Sequence, residues 1–131
     1  MAVEALIIDD SCVARRIIRY HLEQFGCKIT GEAEDASVGL RIFRREKPQI
    51  VTLDLIMPEV DGVDAAEAFR SMRKEDPSAQ ILVESAVPFD KTRRAMTDEG
   101  ALAYIIKPFN KFSFERVSMR LRRVFPELSQ R

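Results

Sequence analysis

Residues 49–62 read Gln49-Ile50-Val51-Thr52-Leu53-Asp54-Leu55-Ile56-Met57-Pro58-Glu59-Val60-Asp61-Gly62. Gln49 to Leu53 predicts a strand, being short, apolar and rich in β-branched residues. It runs straight into an acid, Asp54, and then into a loop whose Met57-Pro58 and Asp61-Gly62 pairs form turns. A strand that is apolar nearly throughout is covered on both faces, as strands of parallel sheets are. The flanking segments are helical. Ala36 to Glu46 sets Val38, Leu40, Ile42 and Phe43 in a helical rhythm closed by Pro48, and Val63 to Lys74 carries Ala66, Phe69 and Met72 before Asp76-Pro77 ends it.

The alternation continues in both directions. Val3 to Ile8 is an apolar strand ending in Asp9-Asp10. A helix follows from Ser11, with Ala14, Ile17, Ile18, Leu22 and Phe25 on one side and Gly26 as its stop. Lys28 to Ala33 reads as the second strand, and Gln80 to Glu84 as the fourth, halting at Ser85. A helix spans Lys91 to Asp98, with Gly100 beyond it. Ala103 to Ile106 is the fifth strand, followed by Lys107-Pro108. The last helix, Lys111 to Val124, turns Phe114, Val117, Leu121 and Val124 inward. Strands separated by helices pair in parallel, because each is entered from the same end. Right-handed crossovers then lay helices on both faces. The sequence predicts a doubly wound α/β domain with a five-stranded parallel sheet and five helices.

At 131 residues the chain fits one domain, 1–131, with residues 126–131 as a short tail. Hydrophobic residues at 46% and charged residues at 32% suit a packed core and exclude a disordered chain. Lys and Arg (21) balance Asp and Glu (21), which argues against a broad electrostatic grip on nucleic acid or an anionic membrane. No apolar run approaches the ~20 residues of a membrane span, and the start of the chain has no basic leader. Cys12 and Cys27 flank the first helix, roughly 20 Å apart at ~1.5 Å per residue, too far to bridge. Free thiols and a cytoplasmic setting are expected.

In open sheets of this kind, ligands bind outside the carboxyl ends of the strands, where strand order reverses. Asp9-Asp10 follow the first strand, Asp54 the third, Ser85-Ala86 the fourth and Lys107-Pro108 the fifth. The second strand ends in Glu32-Ala33-Glu34-Asp35 at the sheet edge, where no chemical role is needed. Two carboxylates ~4 Å apart repel by about 4 kcal/mol at an effective dielectric of 20. A divalent cation and Lys107 are the candidates to offset this. Carboxylates without Cys or His suit Mg²⁺ better than zinc. A cation, an amine and a hydroxyl beside an aspartate nucleophile make a clamp for a phosphoryl group.

The set Asp9-Asp10, Leu53 to Gly62, Ser85-Ala86, and Gly100-Ala101 through Tyr104 to Lys107-Pro108-Phe109 resembles the CheY-like receiver domains of response regulators. The resemblance implies a flavodoxin-like fold with strand order 2-1-3-4-5 and a phosphorylation-activated receiver of a two-component system. Asp54 resembles the aspartate that accepts phosphate from a histidine kinase or phosphotransfer protein. Asp10 resembles the direct Mg²⁺ ligand and Asp9 the one acting through water. Asp54 and the backbone carbonyl of Ile56 complete the protein's share of the sphere, with Mn²⁺ as an alternative ion. Ser85 resembles the hydroxyl that bonds the phosphoryl group, with uncrowded Ala86 beside it. Lys107 resembles the phosphoryl-pairing lysine, and Lys107-Pro108 the bond the family makes cis.

Ser85 moving inward and Tyr104 turning into the freed space would form the switch. Its output face would be the fourth helix, fifth strand and last helix, around Arg93, Arg94, Tyr104, Lys111 and Arg116, acting on a downstream protein target. A monomer or a weak dimer through that face is expected. Direct nucleic-acid binding, membrane insertion and enzymatic turnover beyond self-phosphorylation and self-dephosphorylation are not. Apolar Ile56 and Val87, which cannot orient water, suggest slow self-dephosphorylation, and Pro88 stiffens the loop after the fourth strand.

Three other assignments fit these residues less well. A haloacid dehalogenase-type phosphohydrolase wants a second acid where Ile56 stands. A flavin or nucleotide carrier wants a Gly- and Ser-rich loop in place of Asp9-Asp10-Ser11. A degenerate receiver would bind partners without phosphate. Asp9-Asp10 as plain helix caps, His21 as a packing residue, the Arg15-Arg16, Arg44-Arg45 and Arg122-Arg123 pairs as solvated faces, and Met57 and Phe109 packed beneath the site are the ordinary structural alternatives.

Overall fold

Four helix starts are fixed by polar side chains that accept otherwise unsatisfied backbone N–H groups. Ser11 accepts from Ala14, Asp35 from Val38 and Asp64 from Glu67, while Asn110 and Ser113 bond reciprocally in a capping box. The computed structural model describes residues 2–86 and 91–128, without the side chains of 91–93. Its elements are β1 (Val3–Ile8), α1 (Cys12–Gln24), β2 (Cys27–Ala33), α2 (Ala36–Glu46), β3 (Ile50–Asp54), α3 (Ala65–Glu75), β4 (Gln80–Ser85), α4 (Lys91–Asp98), β5 (Ala103–Ile106) and α5 (Lys111–Val124). All strand pairs are parallel, in the order β2-β1-β3-β4-β5, as expected.

The departures are local. α3 begins at Ala65 and not Val63, because Val60 and Val63 exchange backbone hydrogen bonds across a turn with Asp61 and Gly62 at positive φ. Asp64 is then the residue free to cap. β3 and β4 run one residue further than expected, so Asp54 and Ser85 belong to the sheet itself. Their backbones are held by the ladder, which is what fixes their side chains in place.

Alternate residues of the strands feed two cores. Val3, Ala5 and Ile7 join Ile18, Leu22, Leu82, Ile105 and Phe114 on the α1/α5 side; Leu6 and Ile8 join Phe43, Leu53, Phe69 and Val83 on the other. Two residues expected to face inward do not: Ile17 is 38% and Val124 42% exposed. The inner line of α1 runs through Ile18, Leu22 and Phe25, leaving Ile17 at its margin. Past the end of α5, the Leu128 N–H bonds the Phe125 carbonyl at 3.0 Å and Leu128 is buried in the α1/α5-side core. His21 packs as expected, stacked on Phe114 at 5.4 Å and near Phe109 at 5.6 Å. Cys12 is exposed and Cys27 buried, both free.

Gly39 lets α2 lie close on β1. A Cβ there would come within 2.5 Å of Cδ1 of Ile8. Gly39→Ala gains about 1 kcal/mol of helix propensity but overpacks a filled core, a change costing typically 1–3 kcal/mol. Net destabilisation in urea unfolding is the expected result; a stabilised variant would show that Ile8 yields freely.

Candidate functional site

Four strands deliver their last residues to one rim. The Asp9 N–H extends the ladder onto the carbonyl of Ala33 at 2.9 Å, and Asp9 Oδ1 accepts from the Ser11 N–H at 2.9 Å. Arg15 Nη1 donates to the Asp9 carbonyl at 2.7 Å while its Nε pairs with Glu32 at 3.2 Å. Ser11 is therefore the helix cap, and Asp9 and Asp10 are released from that task. Asp54 Oδ1 accepts from the Ile56 N–H at 3.0 Å. The Lys107 N–H is tied to the Ser85 carbonyl at 2.8 Å, ahead of a cis Lys107-Pro108 bond. From that anchor Lys107 Nζ reaches Asp9 Oδ2 at 2.9 Å and Asp54 Oδ2 at 3.0 Å. Carboxylate oxygens of Asp9, Asp10 and Asp54 lie within 4.8 Å of one another.

Asp9, Asp54 and Ser85 are buried and Asp10 is exposed. Burial raises the Asp54 carboxyl above its ordinary range and the charge of Asp9 adds to this, with the Ile56 N–H and Lys107 opposing. For Asp9 burial is again the largest influence, but hydrogen bonds with Glu84, Ser11 and Lys107 together outweigh it, and the carboxyl lies below the usual range. Two acids thus share one ammonium, and Asp9 is the better served. Burial disfavours the charge on Lys107, yet its bonds to Asp9 and Asp54 prevail and its pKa rises. Hard oxygen donors clustered this way fit a small divalent cation.

Glu84 was not singled out from the sequence. It is 1% exposed, stands beside Asp54 in the β3–β4 register, and its pKa is pushed up to about 10 by burial first, then by Asp9. A Glu in a strand covered on both faces was the available signal. Its titration predicts an unusual pH profile for the metal-free protein. A carboxyl whose pKa is higher folded than unfolded favours folding below the unfolded value, and that contribution is lost as pH rises toward the folded one. Stability in EDTA is expected to fall between about pH 5 and 9, by up to about 1.4 kcal/mol per pH unit from this group. Glu84→Gln should flatten the slope, and an identical slope in the variant would assign it to other groups.

Ile56 keeps its backbone at the site while its side chain is 53% exposed. Tyr104 is half-buried against the α2/α3-side core and lines a cavity of about 300 Å³ with Thr97, Ile106, Arg116 and Arg120. Met57 packs partly buried on that same core, whereas Phe109 is buried on the α1/α5 side. Arg94, Lys111 and Arg116 are exposed. Val87, Pro88 and the Arg93 side chain lie outside the described residues. The arginine pairs are not uniformly solvated: Arg15 holds Asp9, Arg44 pairs with Glu75 at 2.8 Å, and Arg122 lies over the Phe25 ring at 5.2 Å. At the end of β2, Glu32 pairs with Arg15 and Arg19, and Asp35 caps α2. Among the described residues, no helix is long and apolar enough to cross a membrane.

Residues 5–116 match the family model of the response regulator receiver domain. The chemotaxis protein CheY of Thermotoga maritima is 33% identical over 109 residues, covering 83% of this chain and 88% of the relative. A protein-glutamate methylesterase/protein-glutamine glutaminase of Hahella chejuensis is 32% identical over 108 residues, but this chain spans 30% of that enzyme's length, so the name brings no enzymatic activity with it. A Borrelia burgdorferi CheX–CheY–BeF₃–Mg²⁺ complex contains a chain of the same fold, with a TM-score of 0.79 at 24% identity over 93% of this chain and 88% of that one. Matched over most of its length, and with the strand order and acid-rimmed sheet described above, the chain belongs to the response regulator receiver domain family, the phosphorylation-activated receivers of two-component signalling.

Proposed function

We propose that Asp54 is the phosphoryl acceptor, taking the group from the phosphohistidine of a sensor kinase or phosphotransfer protein. The observation that carries this is the position of Asp54 Oδ2, 3.0 Å from the Lys107 ammonium at a rim shared with Asp9 and Asp10. Asp9, Asp10 and Asp54 would hold Mg²⁺, with Mn²⁺ fitting the same oxygen donors. The bound cation supplies positive charge against the phosphoryl oxygens. An Asp54 carboxylate oxygen forms the new bond to phosphorus as the phosphorus–nitrogen bond of the donor breaks. The Ile56 N–H, by holding Oδ1, orients the nucleophile. Lys107, which must stay protonated to balance two acids, is placed to pair with an incoming phosphoryl oxygen. The Ser85 hydroxyl, at the end of the neighbouring strand β4, is the neutral donor.

A phosphorylated side chain brings about −1.5 to −2 charges. Lys107 and Ser85 turning toward that charge would move the end of β4, and half-buried Tyr104 has the neighbouring cavity to move in. Exposed apolar residues on α5 and β5, Ile106, Phe112 and Met119, suit this face to a protein partner or to weak self-association. A coupling of 1–3 kcal/mol suffices for such a switch.

The test is the intact mass of the chain after incubation with acetyl phosphate. Uptake of one phosphoryl group with Mg²⁺, and none with EDTA, is expected. Equal uptake in both would sink the cation's role.

A further inference from the structure

The edge strand β2 brings no side chain to the cluster of Asp9, Asp10 and Asp54, yet it grips the backbone that carries two of them. The Asp9 N–H bonds the Ala33 carbonyl at 2.9 Å, and the Asp9 carbonyl accepts from Arg15 Nη1 at 2.7 Å. Glu32, the residue before Ala33, accepts from Nε of the same guanidinium at 3.2 Å and from Arg19 Nη1 at 2.6 Å. Both backbone polar groups of Asp9 are thereby anchored to the end of β2, one directly and one through Arg15. The Arg15 side chain is only 18% exposed, which limits the competition from water. Its guanidinium presents its donors in a rigid fork, so two acceptors taken together fix its orientation.

The three acids depend on this anchor unequally. The Asp9 carboxylate is held by the Ser11 N–H and Lys107, and that of Asp54 by the Ile56 N–H and Lys107. The exposed Asp10 carboxylate has no hydrogen bond or ion pair of this kind among the described residues. Its place within 4.8 Å of the other two is set by the backbone, and the peptide leading into it is the one whose oxygen Arg15 holds. We propose that Arg15, braced by Glu32, is a positioning residue of the cation site. It fixes the Asp9–Asp10 peptide and, through it, the direction of the Asp10 carboxylate. Charge and position make opposite demands here. A guanidinium beside the site repels a divalent cation, so Arg15 favours binding only through the geometry that it imposes.

This role presupposes the divalent-cation site proposed above, and one set of titrations separates the two. Mg²⁺ affinity is measured by calorimetry for wild type, Arg15→Met, Glu32→Met and the double variant, at a temperature where thermal unfolding in EDTA shows each to be folded. Arg15→Met is expected to bind Mg²⁺ about tenfold more weakly, as when a group that orients a metal ligand is lost, although the substitution removes a positive charge. Glu32→Met is expected to weaken binding too. The double variant should be no weaker than Arg15→Met, because residues that act as one unit do not give additive losses. If Arg15→Met does not fold, Arg15→Leu takes its place. A role through charge alone predicts tighter binding by Arg15→Met and wild-type binding by the double variant, whose net charge is unchanged. Either of those results, or an Arg15 variant that binds like wild type, overturns the positioning role. Losses that add in the double variant overturn the bracing by Glu32. A wild-type chain that binds no Mg²⁺ overturns the cation site itself, and this role with it.

Discussion

Asp54→Asn is expected to take up no phosphoryl group under conditions that phosphorylate the wild-type chain fully. Asn keeps the shape of the side chain, and its carbonyl can still accept the Ile56 N–H that Asp54 Oδ1 accepts at 3.0 Å. What it loses is the anionic oxygen that must attack phosphorus, and an amide offers no comparable nucleophile. The variant also isolates chemistry from folding. Burial and the charge of Asp9 both work against ionisation of Asp54, so replacing it with a neutral side chain relieves repulsion in the metal-free protein. Lys107 remains on Asp9. Stability in EDTA is expected to hold or rise, while phosphoryl uptake disappears from the intact mass. A mass gain in Asp54→Asn would move the acceptor to another acid, with exposed Asp10 the first to examine.

Element type could be read along the chain because both of its determinants are local. Apolar runs bounded by turn formers and helical stretches bounded by caps need no tertiary information, and the bounds of α2, α4, α5 and β5 match the residues expected. Strand order is a different matter. Alternation requires parallel pairing but does not say which strands are neighbours, and the order came from resemblance to a family. The rim residues were readable because each stands at a strand end. Glu84 was not, because its meaning depends on the β3–β4 register, which sets it beside Asp54 across 30 residues of sequence. Arg15 and Arg122 follow the same rule. A charged residue on a helix looks solvated in sequence, and only packing reveals that one holds the Asp9 carbonyl and the other covers Phe25.

Lys107→Met is expected to destabilise the metal-free protein by about 3–5 kcal/mol near neutral pH, the cost of removing one member of a buried ion pair. The lysine balances two acids at once, at 2.9 and 3.0 Å, and Met fills its stem without its charge. Asp9 would change most. Burial opposes its ionisation in the native protein, and Lys107 is among the groups that overcome this. Without the ammonium, the Asp9 and Asp54 carboxyls both shift upward, so the folded chain binds protons more tightly than the unfolded one. Stability of the variant then rises as pH falls from neutral, and the deficit against wild type narrows in acid. Mg²⁺ should narrow it as well, since a cation that binds only the folded state stabilises by mass action. Urea unfolding in EDTA and in Mg²⁺, at neutral and acid pH, measures all of these differences. A variant with the wild-type midpoint in EDTA at neutral pH would mean that water reaches Asp9 and Asp54 well enough to make Lys107 dispensable to the fold, and would confine the lysine to the chemistry of the phosphoryl group.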